Sequence, residues 1–463
     1  MRLGYHQMRL VKATVPKLRE QGERITTIMY TRMLRAHPEL NNVFNTVNQA
    51  NHRQPRALTS VILAFASALN HDISDLIPKL ERMCNKHCSL GIKPEHYEIV
   101  ATYLLEAFAV VLGDGPEGMT AETEEAWRRA YWILAGMLIG REQQLYAAFG
   151  PWQGWLPFQI VRKESETDDI VSFYLAPQNK RPLPAFLPGQ YISVQVPLPN
   201  VGYMQSRQFS LSDAPHEDYY RITIKRETGC QSSSNNTFNG TMHYPPGQMT
   251  NYLIDQLNPG DVVDVTHPAG EFFLDTRQLS SVPLVLISAG VGVAPMVSIL
   301  NTMMDLHPTH EISWIHGARR MIPFCNHVRE AKRRMPNLRT NIFKTHLADG
   351  DLAGTTHDYD FRVDLAKVNR EDLHLNHSGA EYYICGPEQF MLEMADYLKM
   401  QGVELSRLKF ELFSTGDMVE ISLTIETAWP RNCSSSFSAA PASSWRTSKS
   451  LVQIVDVTAW KAA

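Results

Sequence analysis

Apolar positions in the first 150 residues recur every three or four places, in long segments with few breaks. LTSVILAFASAL (58–69), YEIVATYLLEAFAVVL (97–112) and AETEEAWRRAYWILAGMLIGREQQLYAAF (121–149) are rich in good helix formers and nearly free of strand signals. They predict an all-α region, either a bundle or a globin. Thr120, with Thr123 and Glu124 close behind, suits the start of the last helix, which runs about 25 residues or roughly 40 Å. GPWQGW (150–155) breaks the pattern. After it, FQIVRKE, IVSFYLAP, GQYISVQVP, YYRITIKRE and DVVDVTHPAG are short, β-branched and alternating, with Pro and Gly between them. They predict a β-barrel or sandwich of about 120 residues. From Val282, apolar strand runs (VPLVLISAG, EISWIHGA, TNIFKTHL, EYYICGP) alternate with helical segments, the mark of a doubly wound parallel sheet. The chain thus divides into residues 1–150 (α), 151–279 (β), 280–418 (α/β) and 419–463. The last piece includes SSSFSAAPASSWRTSKS, a low-complexity tail expected to pack poorly.

The totals narrow the class. The 463 residues suit about two to four domains, and 44% hydrophobic with 20% charged residues is ordinary for a globular protein. A net charge of −4 offers no basic excess for nucleic acid or acidic membranes. Six scattered cysteines (84, 88, 230, 325, 385, 433) fit a reducing compartment. The first residues lack the apolar core of a signal peptide. They carry no acid before Glu20, so a mitochondrial address stays open beside the expected cytoplasmic one. PLVLISAGVGVAPMVSIL, from Pro283, approaches membrane length. Its Gly-Val-Gly-Val-Ala-Pro centre reads instead as strand, glycine loop and helix start.

That loop carries candidate chemistry. Gly290 and Gly292 let backbone N–H groups approach a phosphate at a helix N-terminus. A tight strand–helix turn is the plainer reading, since the match is not the full G-x-G-x-x-G pattern. In SRQFSLS (206–212), Arg207 suits a phosphate and Ser210 a hydrogen bond, the alternative being a surface arginine. RMCNKHCSLGIKPEHY (82–97) sets Cys84, His87 and Cys88 three and four apart, on one helix face. Three readings stay open: a soft-metal site, a haem iron held by His87 alone, or a surface histidine between packed cysteines.

RQFSLS, then ISAGVGVAP, then YICGP, with PGQYISV, KRE and HPAGEFFL around them, resemble the ferredoxin-reductase type of FAD/NAD(P) module from residue 155 to about 416. The resemblance implies that Tyr191, Arg207, Gln208, Phe209 and Ser210 contact FAD. It implies that Gln248, Met249 and Thr250 hold the FAD pyrophosphate. Gly290, Val291, Gly292, Val293, Ala294 and Pro295 would hold the phosphates of NADH or NADPH, and Phe413 would cover the flavin ring. Two departures stand out. CQSSSNNTFNGTMHYPP (230–246) intervenes before the second flavin segment and reads as an exposed loop. The closing motif is Leu412-Phe413-Ser414-Thr415-Gly416 in place of the family's Phe-Gly-Pro, which puts the flavin contact there in question.

In the first part, VKATVPKL, MYTRML, AHPELNNVFN, NQANHRQPRAL, NKHCSLGIKPEHYEIV and LIGREQQLY stand in one order. With the reductase module behind them, they resemble a fungal-like flavohaemoglobin from residue 8 to about 416. The resemblance implies an all-α globin, a β-barrel FAD domain and an α/β NAD(P) domain, with haem b and FAD as cofactors. His87 would be the haem ligand, with Tyr97 and Glu142 behind it, and the flanking cysteines would only pack. Tyr30, Gln54 and Leu58 would line the oxygen side, Phe44 would wedge the haem, and Lys86 and Glu411 would lie near the haem–flavin junction. A zinc site would need a fourth ligand, for which His96 is the one nearby candidate. The implied activity is nitric oxide dioxygenation, with NO and O₂ as small-molecule partners. A monomer is expected, without nucleic-acid or integral-membrane association. Two alternatives are an oxygen-binding or oxygen-sensing globin with an attached reductase, and a general NAD(P)H–flavin reductase. Arg319 and Arg320, after EISWIHGA, suit the 2′-phosphate of NADPH, or are solvated surface groups.

Overall fold

The computed structural model describes residues 3–44, 53–69, 73–113, 118–199, 201–233, 241–244, 246–279 and 281–413. Its contacts divide the chain into two compact units, residues 1–153 and 154–414.

The first unit is all helical. It contains α1 (Tyr5–Glu20), α2 (Gly22–Ala36), a short 3₁₀ turn (Pro38–Asn42), α3 (Arg53–Ala68), α4 (Ile77–Ser89), α5 (Pro94–Leu112) and α6 (Ala121–Ala148). Thr120 caps α6, its Oγ1 accepting the Thr123 N–H at 3.1 Å, a bond worth about 1 kcal/mol. Pro55 falls in the first turn of α3, where its missing N–H breaks no hydrogen bond. The core closes on Trp127, packed edge-on to Phe108 at 4.9 Å. Its indole N–H donates to the buried Thr14 Oγ1 at 2.9 Å. Truncating so buried a tryptophan costs about 3–5 kcal/mol.

The second unit begins with β1 (Leu156–Ser165), β2 (Ile170–Pro177), β3 (Tyr191–Pro197), β4 (Met204–Ser210) and β5 (Tyr220–Lys225). A two-stranded ribbon follows, β6 (Cys230–Ser233) with β7 (Thr241–Tyr244), then α7 (Gln248–Gln256) and β8 (Val262–Val265). Six strands form one antiparallel sheet in the order β4-β3-β8-β1-β2-β5. A bridge between Leu211 and Ile222 joins its edges into a barrel. The expected exposed loop at 230–246 is therefore corrected at both ends, which pair as the β6–β7 ribbon. Residues 234–240, like the tail after Phe413, lie outside the described residues.

The α/β lobe contains β9 (Leu284–Ala289), α8 (Val293–Leu306), β10 (Ile312–Ala318), α9 (Cys325–Arg334), β11 (Leu338–Lys344), β12 (Glu381–Cys385), α10 (Glu388–Met400) and β13 (Leu408–Glu411). All four strand pairings are parallel, in the order β11-β10-β9-β12-β13. Strand order reverses between β9 and β12. Open α/β sheets bind ligands beyond the carboxyl ends of the strands at such a switch point. Both glycine-bearing turns stand there, because Gly290 follows β9 and Gly386 follows β12. Among the described residues, no helix is long and apolar enough to cross a membrane.

Candidate functional site

His87 lies in the last turn of α4, where the chain reverses. Gly91 takes φ +71°, a left-handed conformation that glycine adopts without strain and that ends helices. Pro94 opens α5 at a position that needs no N–H, and the Ile92 N–H closes the turn onto the His87 carbonyl at 3.0 Å. This reversal returns Tyr97 to the imidazole, with Tyr97 Oη 3.0 Å from His87 Nδ1. The third group comes from α6. Glu142 Oε1 lies 2.7 Å from His87 Nδ1 and 2.5 Å from Tyr97 Oη. Glu142 and Tyr97 are buried, while the His87 side chain is 28% exposed.

Burial, and then the Glu142 charge, push the Tyr97 phenol far above its usual range, so it stays a donor. His87 Nδ1–H donates to the same carboxylate, which fixes the tautomer. His87 Nε2 is then left with its lone pair and makes no hydrogen bond among the described residues. An imidazole held from behind by a carboxylate, with its other nitrogen unengaged, fits a ligand to haem iron.

The cysteines do not join it. The Cys84 thiol points at the Leu138 carbonyl (3.8 Å) and the Cys88 thiol at the Glu142 carbonyl (3.7 Å). Burial raises both thiols far above their usual range, and both are turned away from the imidazole. His96 Nδ1 accepts the Lys93 N–H at 3.2 Å. Among the described residues, no cluster of three His, Cys, Asp or Glu side chains suits a metal. The cysteines are packing residues between α4 and α6. Sequence reading missed the ion pair beside them, in which Arg141 holds Glu81 through two bonds of 2.8 and 2.7 Å. Its partners lie 60 residues apart, so no local spacing announces it.

Across the same core, Tyr30 of α2 is buried, and Phe44 meets its ring edge-on at 5.4 Å. Burial raises the Tyr30 phenol well above its usual range, keeping it a neutral donor. Leu58, on α3, packs against this core. Gln54 starts one turn earlier on α3, and its side chain lies outside the described residues. Lys86 is half-buried beside His87.

In the barrel, Tyr191 pairs with Ala269 through two backbone bonds of 2.9 Å. Its ring lies against Gly270, where an added Cβ would come within 2.9 Å. Strand alternation sends Arg207 and Phe209 to one face of β4 and Gln208 and Ser210 to the other. Gln208 Nε2 reaches Ser193 Oγ at 3.5 Å. The four residues therefore do not share a face. Arg207 has no carboxylate partner among the described residues. One of its donors meets the Ser206 carbonyl at 2.6 Å, and loss of hydration lowers the guanidinium to about 10. Ser210 Oγ and Thr250 Oγ1 are buried without hydrogen-bond partners among the described residues. An under-hydrated cation and two orphaned hydroxyls fit a phosphorylated flavin nucleotide, because such groups are unfavourable until paired.

Gln248, Met249 and Thr250 form the first turn of α7, which carries no acid there and packs on β4 and β5. Gly247 before it was missed. A Cβ there would come within 2.6 Å of Thr250 Oγ1 and 2.8 Å of Glu227 Cβ. At the switch point, Gly290 takes φ +56°. Val293, Ala294 and Pro295 open α8, again without an acid in its first turn, and Val291 and Gly292 complete the turn before it. Such a terminus fits phosphate. Beneath it, His316 Nδ1 meets Ser288 Oγ at 2.9 Å, and full burial lowers His316 to about 4, so the ring is neutral. Glu411 is buried and stands in register with Cys385, while Phe413 is half-exposed.

Known proteins share this order of parts. Family models match for Globin at residues 27–138, an oxidoreductase FAD-binding domain at 157–274 and an oxidoreductase NAD-binding domain at 286–396. The flavohemoprotein of Bordetella parapertussis is 41% identical over 414 residues, covering 88% of this chain and 97% of that protein. The flavohemoprotein of Bacillus subtilis is 37% identical over 409 residues, 87% of this chain and 96% of that protein. The crystal structure of the flavohemoglobin of Malassezia yamatoensis, with bound FAD and heme, has a TM-score of 0.74 at 29% identity, covering 89% of this chain and 100% of that one. Likeness of this degree, running nearly end to end through three domains in one order, means that the chain belongs to the flavohemoprotein family.

Proposed function

We propose that this chain is an NAD(P)H-dependent nitric oxide dioxygenase that turns NO and O₂ into nitrate. The observation that carries this reading is the buried carboxylate behind His87, with Glu142 Oε1 2.7 Å from Nδ1. It makes the imidazole electron-rich, and an electron-rich ligand to haem iron would favour oxygen activation over storage. Haem and FAD supply the redox chemistry when bound: one hydride from NAD(P)H is divided into two electrons, and each NO that combines with O₂ takes one to give nitrate. His87 Nε2 would hold the iron, and Glu142 and Tyr97 would hold the Nδ1 proton in place. The Tyr30 hydroxyl and Gln54 would serve as hydrogen-bond donors toward O₂, while Phe44 and Leu58 would keep the pocket apolar. Arg207 pairs with the flavin phosphate, and Tyr191, Gln208, Phe209 and Ser210 hold the flavin. The first turn of α7 takes the pyrophosphate, and the Gly290–Pro295 turn holds the nicotinamide cofactor. Phe413 would cover the flavin ring.

Purified protein loaded with haem and FAD should show both sets of absorption bands. NADH added without oxygen should bleach the flavin and then reduce the haem, and NO should be consumed one for one with O₂. Slow NO loss with reversible O₂ binding would overturn the reading in favour of an oxygen store.

Glu142→Gln keeps the shape and removes the charge. It should lower NO turnover about 10- to 100-fold, the range for losing a partner of a metal-bound histidine, and leave flavin reduction by NADH unchanged. Unaltered turnover would remove the carboxylate from the mechanism. Arg319 and Arg320 are both exposed, just beyond β10. Reversing both charges should raise the KM for NADPH roughly tenfold and that for NADH far less, if they meet the 2′-phosphate. An equal effect on both cofactors would make them surface groups only.

A further inference from the structure

The barrel and the α/β lobe of the second unit meet along a polar seam that none of the assigned cofactor contacts uses. Asp213, in the loop between β4 and β5, stands at its centre. Its backbone carbonyl accepts Ser298 Oγ at 2.7 Å, and its Oδ1 accepts Asn301 Nδ2 at 2.7 Å, both from α8. Asn301 Oδ1 lies 2.5 Å from His327 Nε2 on α9, linking the two helices. Ser298 and Asn301 are buried. From the barrel side, Tyr219 Oη (3.1 Å) and Arg221 (3.5 Å) hold Asp213 Oδ2. The buried Arg221 guanidinium also lies over the Phe324 ring, 5.1 Å from its centre. Phe324 caps α9 at φ +58°, a conformation that a bulky residue keeps only where its surroundings hold it.

The seam is suited to holding geometry. It is polar on both sides, with Ser298, Asn301 and Arg221 buried and Asp213, Tyr219 and His327 partly so, and parting the lobes would strand donors and acceptors together. It grips α8, whose start is the glycine turn. The strand that carries Arg221, β5, also lies against Gly290–Gly292. Hydride transfer needs the donor and acceptor atoms about 3–3.5 Å apart, and a misplacement of about 1 Å can slow a reaction about 100-fold.

We infer that the Asp213–Asn301–His327 seam is a positioning device for hydride transfer, fixing the dinucleotide-binding lobe against the flavin-binding barrel. The inference rests on the NAD(P)H–flavin half of the proposed function. Asn301→Asp tests it in the full, haem- and FAD-loaded chain. It keeps size and the acceptor facing His327, but sets a carboxylate against the Asp213 carboxylate. In anaerobic stopped flow, the limiting rate of flavin reduction by NADH should fall at least tenfold. FAD content and affinity for ADP-ribose, which needs only the α/β lobe, should stay near native. Adding Asp213→Asn exchanges donor and acceptor, remakes the bond and should recover most of the rate. A single variant within twofold of native, or a fall that the double variant does not relieve, would overturn the inference. A native protein that NADH fails to reduce would instead refute the functional reading beneath it, and the seam's role with it.

Discussion

Replacing His87 with alanine is expected to leave the first unit without haem and to abolish NO consumption, while NADH still reduces FAD at close to the native rate. The argument is one of position. His87 Nδ1 is committed to Glu142 and Tyr97, which leaves Nε2 as the nitrogen for iron. The neighbouring thiols are turned to backbone carbonyls. The fold should survive. Tyr97 still donates to Glu142 at 2.5 Å, so the buried carboxylate keeps one donor. The loss of the other costs about 1–3 kcal/mol. The core around Trp127 and Phe108 does not depend on the imidazole. The residues assigned to FAD and NADH all lie in the other compact unit, 154–414. Haem content, FAD content, NO consumption at an electrode and anaerobic flavin reduction are the four readings. Full NO consumption by a haem-free variant would refute the assignment of His87.

The fold and the site around His87 differ in how plainly the sequence shows them. Helices, barrel and parallel sheet are legible because each buries one face, and the burial period is written locally: 3.6 residues for α5 and α6, two for the barrel strands, continuous apolar runs for β9 and β12. The turn at Gly290 is legible for the same reason, since a strand, two glycines and a helix start are contiguous. The group behind His87 is not. Tyr97 lies ten residues away and Glu142 fifty-five, and only the reversal at Gly91 and the packing of α4 on α6 bring them together. Spacing alone leaves a soft-metal site open, because Cys84 and Cys88 share a helical side with His87, yet both turn toward α6. Ser210 and Thr250 are ordinary residues until both hydroxyls are found buried without partners. The Asp213 seam has no local signature, because its partners come from α8, α9 and β5. The ends of 230–246 read as polar loop, since a ribbon whose stability comes from backbone pairing needs no apolar alternation.

Gly292→Val should slow flavin reduction by NADH at least 100-fold while haem and FAD remain bound. The two glycines of the turn are required for different reasons. Gly290 has φ +56° and nothing within 4 Å of an added Cβ, so its alanine variant meets only backbone strain of about 1–2 kcal/mol. Gly292 has φ −59°, open to any residue, so what it needs is space. A Cβ there would stand 2.4 Å from the Cys385 carbonyl oxygen, 2.7 Å from its carbon and 2.9 Å from the Gly386 nitrogen. Those are backbone atoms at the end of β12, held in parallel register between β9 and β13. They cannot turn aside as a side chain would. The turn itself must move, taking the first N–H groups of α8 away from the proposed phosphate position, and a shift of about 1 Å accounts for a loss of about 100-fold. FAD should stay, because Tyr191, Arg207, Ser210 and Thr250 lie on the barrel and α7. Dithionite should still reduce both cofactors, which separates a lost dinucleotide site from a collapsed lobe. If NADH reduced the variant at close to the native rate, the nicotinamide cofactor would have to dock elsewhere than the switch point between β9 and β12.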